Sequence, residues 1–141
     1  MKIRFENEDV QYILKHRRSI RLWLSCVIEQ EHKELGDITC IFCSDSYLLK
    51  LNYKYLHASY FTDVITFDYT KNGCVSGDVF ISIDRVKENA KYYKQPLFQE
   101  MLRVILHGIL HLCGYKDKTE EEMQQMREKE DYYLQKFNAI D

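Results

Sequence analysis

Linkers are missing from this sequence. It has no internal repeat, no low-complexity tract and no Pro/Ser-rich stretch, and its single proline is Pro96. Nothing marks a place to divide 141 residues, so one domain spanning 1–141 is expected. Charge of one sign is not in excess: 20 basic side chains face 22 acidic ones, a net charge of −2. That balance argues against holding nucleic acid by overall charge, although a local basic patch stays compatible with it. No apolar run approaches the roughly 20 residues of a membrane span. No basic-then-apolar leader opens the chain, so no secretory signal is expected. The five cysteines (Cys26, Cys40, Cys43, Cys74 and Cys113) are odd in number and mostly in apolar surroundings. Reduced thiols and a cytoplasmic location are the expectation.

What is present is apolar material, 45% of the residues, arranged in short periodic segments. Residues 2–5 alternate as a strand does. Residues 7–30 are expected to be helical, with Ile20, Trp23, Leu24, Val27 and Ile28 forming one apolar face. Gly36 ends that unit, and 37–44 is rich in β-formers. Residues 46–55 return to a helical pattern. Residues 62–69 and 75–82 are two strands joined by Lys71-Asn72-Gly73, a sequence that favours a hairpin turn. Residues 84–93 are helical. Pro96 suits a helix start, and the helix it opens runs to about Cys113, where Gly114 can end it. Thr119 and Glu122 make a capping box for a last, charged helix. Interleaved strands and helices with one antiparallel hairpin predict an α+β fold, a mixed sheet covered by helices.

The chemistry concentrates at one place. Phe98, Met101, Leu102, Ile105, Leu106, Ile109 and Leu110 make the helix ending near Cys113 apolar almost all round, so it is expected to be buried. His107 and His111 lie four apart and share one face. Gly114 lets the chain reverse, and Asp117 can then swing back. Two histidines and a carboxylate are three ligands with a fourth position open, the pattern of catalytic zinc. His-x-x-x-His-x-x-Gly-x-x-Asp follows the metzincin spacing, so a metzincin-like metal helix is expected. Two core histidines and an unrelated surface aspartate are the competing reading. Zinc proteases place Glu after the first His as general base. Here that residue is Gly108, which leaves phosphodiester hydrolysis open and removes the base for peptide hydrolysis.

With those residues stated, the chain resembles the YbeY family of metal-dependent endoribonucleases. The family signature His-Gly-x-Leu-His-Leu-x-Gly-Tyr-Asp-His is matched by His107-Gly108-Ile109-Leu110-His111-Leu112-Cys113-Gly114-Tyr115-Lys116-Asp117. Thr62-Asp63-Val64-Ile65-Thr66-Phe67 and Gly77-Asp78-Val79-Phe80-Ile81-Ser82 are similar to two further family blocks. Leu51, Asn52 and Tyr55, and Glu100 and Arg103, match shorter stretches. The resemblance implies a mixed four-stranded sheet covered by about five helices. It implies a cytoplasmic hydrolase specific for single-stranded RNA. Its work would be the maturation of small-subunit (16S) rRNA ends and ribosome quality control, with the small ribosomal subunit and its proteins as partners. Two positions depart from the pattern. Asp117 stands where the family usually has His, and Leu56 where it commonly has a phosphate-binding Arg. His57 and Arg103 are the candidates to replace that arginine. A carboxylate lowers the formal charge of a zinc site, makes its water less acidic and suits harder cations, so manganese or magnesium are possible substitutes for a single zinc ion.

Other features carry less. Cys40-Ile-Phe-Cys43 has redox spacing, but in a strand residues three apart face opposite sides. Lys15, His16, Arg17, Arg18 and Arg21 form a basic cluster that is either a solvated face or an RNA contact. Tyr53, Tyr55, Tyr60 and Tyr69 are core, rim or base-stacking residues. The run Glu120 to Glu122 reads as helix capping. Two rival functions remain open: a metallopeptidase, and a non-enzymatic ribosome assembly factor with a structural metal.

Overall fold

The computed structural model describes residues 1–57 and 62–140. Tyr60 lies outside the described residues. The elements in chain order are β1 (Lys2–Asn7), α1 (Arg17–Gln30), β2 (Glu34–Cys43), α2 (Asp45–Leu56), β3 (Val64–Asp68), β4 (Cys74–Ser82), α3 (Ile83–Tyr92), α4 (Leu97–Leu112) and α5 (Glu120–Ile140). The strands form one sheet in the order β1-β2-β4-β3. β1 and β2 pair in parallel, as do β2 and β4, while β3 runs antiparallel to β4. The α+β expectation and the mixed four-stranded sheet therefore hold.

The period-2 pattern of β4 assigns its two faces. Val75, Val79 and Ile81 enter the main core, together with Ile3 and Phe5 of β1 and Ile38, Cys40 and Phe42 of β2. The apolar faces of α1 and α4, and Met126, Tyr133, Leu134 and Phe137 of α5, close over that face. Phe80 points the other way, into a smaller cluster with Cys43, Ile65, Leu48 and Leu51 beneath α2. Cys40 and Cys43 thus belong to opposite faces. Burial pushes both thiols up to about 12, and all five cysteines are free. That is no redox pair.

Two boundaries differ from expectation. Residues 8–16 are not helical. Asp9 instead accepts hydrogen bonds from the backbone N–H of Ser44 (2.8 Å) and its hydroxyl (2.5 Å), and Asn7 donates to the carbonyl of Tyr12. The segment is pinned across the sheet end, and Leu14 is buried. His16, at φ 60°, precedes the helix without a side-chain cap. Gly36 does not end the first unit. It lies inside β2, beside the irregular register between Leu35 and Ile38.

The remaining local signals form as the residues dictate. Lys71 and Cys74 bridge the Asn72-Gly73 turn that closes the β3–β4 hairpin. The Thr119 hydroxyl accepts from the N–H of Glu122, and the Glu122 carboxylate accepts from the N–H groups of Lys118 and Thr119. The basic cluster is partly spent on β1. Arg21 donates to the carbonyl of Ile3 (2.8 Å) and lies 5.2 Å from the Phe5 ring centroid, with Arg17 at 6.0 Å.

Candidate metal centre

α4 is the central helix of the molecule, with ten of its residues buried. Such a helix has nowhere to leave a charge except at its end or into a cleft. Pro96 is its N-cap, one residue before the first helical position. At the other end Gly114 takes φ 110°. Its N–H donates to the carbonyl of His111 (3.0 Å), and that of Tyr115 to Leu110 (3.0 Å). These two bonds define a Schellman ending, which a glycine allows and a side chain resists. The reversal brings Asp117 back over the last turns of α4.

There the three predicted ligands meet. Nε2 of His107 and Nε2 of His111 are 3.0 Å apart, and Oδ2 of Asp117 is 3.0 Å from the first and 3.3 Å from the second. No other group of three such residues clusters among the described residues. Each imidazole is held from behind. His111 Nδ1 donates to the carbonyl of Tyr115 (2.9 Å), and His107 Nδ1 donates to Oε2 of Glu130 (2.6 Å). A donating Nδ1 leaves Nε2 as a bare lone pair. With both rings neutral, two lone pairs and a carboxylate oxygen face one another with no donor among them, an arrangement relieved by a metal cation or by a proton on His107. Metal–ligand bonds of about 2.0–2.1 Å at tetrahedral angles put ligand atoms about 3.3 Å apart. The observed separations fit a small divalent cation.

The supports extend outward. The second oxygen of Glu130 accepts from Arg103 (2.8 Å), whose other guanidinium nitrogen binds Asp131 (2.7 Å). The Tyr115 hydroxyl donates to Glu31 at 2.6 Å, and the same carboxylate accepts from Tyr133 and Lys129. Burial pushes the Glu31 carboxyl up, but these hydrogen bonds outweigh it and hold it low. Burial likewise works against charging His107, yet Glu130, Asp63 and Asp117 together hold its pKa above the ordinary histidine value. The field around that ring favours positive charge.

Gly108 has a second role besides lacking a base. A Cβ there would stand 2.5 Å from Cγ1 of Val79 in β4. The 108 position faces the sheet and not the cleft, so a glutamate would meet Val79 before it met a substrate.

A cleft of about 630 Å³ opens beside the ligands, between the α3–α4 turn, α4 and α5. His107, Asp117, Asp63, Glu100, Arg103 and Arg127 contribute to its wall. Arg103 is therefore in the cleft but committed to two carboxylates. His57 is the exposed, left-handed C-cap of α2 and does not line the cleft, and Leu56 is also exposed. Sequence reasoning missed Glu130 and Arg127. One signal for Glu130 was available, because it lies at helical spacing within the apolar stripe of Met126, Tyr133, Leu134 and Phe137.

Comparison with known proteins identifies the family. The family model described as Endoribonuclease YbeY matches residues 2–138. A relative from Cytophaga hutchinsonii named Endoribonuclease YbeY is 48% identical over 131 residues, covering 92% of each chain. Another of that name from Flavobacterium johnsoniae is 44% identical over 133 residues, 94% of this chain and 96% of the relative. The solution structure of TM1509 from Thermotoga maritima superposes with a TM-score of 0.67 at 25% identity, over 96% of this chain and 89% of that one. A matched fold, a family model over nearly the full length and close relatives of one name agree, and the chain belongs to the YbeY family of endoribonucleases.

Proposed function

We propose that residues 1–141 act as one domain, a metal-dependent endoribonuclease that cuts single-stranded RNA in the maturation of small-subunit rRNA ends. Its partners are then the rRNA and proteins of the small ribosomal subunit, and its place of work the cytoplasm. The observation that carries this reading is the donor-free triangle of His107 Nε2, His111 Nε2 and Asp117 Oδ2 in a chain of this family. We assign those three residues as ligands of one zinc ion, with manganese or magnesium favoured more than at an all-histidine site because Asp117 adds a hard, anionic oxygen. When bound, the cation polarises a phosphoryl oxygen and acidifies water.

The chain's own groups do the rest. Glu130 and the Tyr115 carbonyl fix both imidazole tautomers, so that neither ring reorganises during reaction. Arg127 lines the cleft with no ion pair or hydrogen bond among the described residues, and it is exposed. It lies one helical turn before Glu130, on the same face of α5, and its side chain leans toward the N-terminal end of that helix. Arg127 is the cation free to meet a phosphate, in contrast to Arg103 with its two carboxylates. The peptidase reading loses its general base, because position 108 packs on Val79.

Wild type and folded His107→Ala should be compared on precursor small-subunit rRNA. Loss of cleavage in the variant is expected, and cleavage at the wild-type rate would overturn the reading. Metal analysis of protein purified without added metal should return zinc. Full occupancy in Asp117→Ala would remove Asp117 from the ligand set.

A further inference from the structure

Glu100 is the one acid of the cleft wall that has no visible use. It sits in the first turn of α4, is 6% exposed, and lines the cleft. No hydrogen bond to its carboxylate occurs among the described residues. Arg103, one turn on, acts on it only at a distance, since both ends of that guanidinium are taken by Glu130 and Asp131. The oxygens are not sealed in the interior, since no side-chain polar atom there lacks a partner among the described residues, so the carboxylate meets the open cleft. The group is set up to receive donors from something that enters the cleft.

We propose that this end of the cleft is a nucleobase subsite and that Glu100 reads guanine. The inference rests on the endoribonuclease reading and adds a substrate preference to it. Glu100 lies seven residues before His107, two turns and about 10 Å along the helix axis on the same face. That is too far to act on a phosphate held at His107 and Asp117. It is about the reach from a phosphate to the far edge of its own base. Val104, Met126 and Leu134 give the cleft apolar wall, and the ring of Tyr93 stands at the rim, a combination suited to a flat base. A carboxylate offers two parallel acceptors. Guanine alone presents two adjacent donors, N1–H and the 2-amino group, on its Watson–Crick edge. Adenine and cytosine each set one donor beside an acceptor, and uracil sets its N–H between two carbonyls.

The test uses the zinc-loaded full chain and an unstructured oligouridine carrying one guanine. Cuts are expected at a fixed offset from the guanine, with kcat/KM about 10- to 100-fold above the all-uridine oligomer. Inosine keeps N1–H and lacks the 2-amino donor, so replacing the guanosine by inosine is expected to lose about tenfold. In Glu100→Gln the guanine-to-uridine ratio is expected to fall below about threefold, because one acceptor has become a donor. Cuts spread evenly along the oligomer, or inosine cleaved as well as guanosine, overturn the base-reading site and leave the nuclease reading standing. An unchanged ratio in Glu100→Gln, with both rates lowered together, also overturns it and assigns Glu100 to proton transfer or folding. Failure of the zinc-loaded wild type to cut any of these oligomers overturns both.

Discussion

Nδ1 of His107 stands 2.6 Å from Oε2 of Glu130, and the same carboxylate holds Arg103 at 2.8 Å through its other oxygen. One buried carboxylate therefore orients a proposed metal ligand and is itself oriented by a guanidinium. Glu130→Gln keeps the shape but weakens the hold on Nδ1. The variant should bind zinc about 10–100-fold more weakly in competition with a chromophoric chelator, while its circular dichroism stays that of wild type. An unchanged zinc affinity would show that the His107 tautomer needs no carboxylate.

Arg127 should report on the substrate and not on the metal. Replacing it with alanine removes one phosphate contact, so the slope of log KM against log salt should become shallower by about 0.7, the value for one contact to a single strand. Arg127→Lys should keep most of that slope. Zinc affinity should be the same in all three proteins. A salt dependence identical to wild type in Arg127→Ala would exclude this residue as a phosphate contact.

Much of the molecule was legible because its signals are local. The Asn72-Gly73 turn, the Thr119–Glu122 capping box and the all-round apolar α4 each determine their own geometry within a few residues, and each forms as expected. The clustering of His107, His111 and Asp117 was legible for the same reason, since Gly114 and the helix period place all three residues within one reversal of the chain. Residues 8–16 were misjudged because what holds them is remote: Asp9 bonds Ser44, 35 residues away. The spacing of Val10, Tyr12 and Leu14, two apart, was a local hint against a helix that the stronger pattern after Ile20 obscured. Glu130 and Arg127 escaped because their role depends on how α5 lies over α4. The one hint was the place of Glu130 within the apolar stripe of α5, and Arg127 carried none.

Gly108→Ala should destabilise the fold. Alanine favours a helix over glycine by about 1 kcal/mol, but its Cβ would press into Val79, which is fully buried and β-branched. Overpacking of that kind costs about 1–3 kcal/mol, and the stiff valine cannot turn aside. Thermal unfolding should fall by a few degrees. Adding Val79→Ala should cost less in the Gly108→Ala background than in wild type. A melting point equal to or above wild type would mean that α4 does not lie so close to β4.

Acid should reveal the Asp45–Arg85 pair. Burial raises the Asp45 carboxyl, but hydrogen bonds from Arg85 (2.6 Å) and Ser82 (2.8 Å) outweigh it and hold it below its ordinary 3.8. A carboxyl depressed in the folded state adds stability that is complete above its unfolded value. That contribution is lost as pH falls from about 3.8 through the lower folded value. Asp45→Asn should therefore unfold at lower urea than wild type at pH 7, and the gap should narrow below pH ~4. A gap of constant size across that range would show that the pair does not titrate with folding.

The two histidines differ in who holds them. The partner of His107 is a side chain, Glu130, so a single codon change can sharpen or loosen that ligand. The partner of His111 is the carbonyl of Tyr115, and every amino acid that could replace Tyr115 brings the same carbonyl. Natural variation can tune one ligand finely and the other hardly at all. If these residues hold the proposed metal, the freedom to adjust it lies more at Glu130 than at position 115.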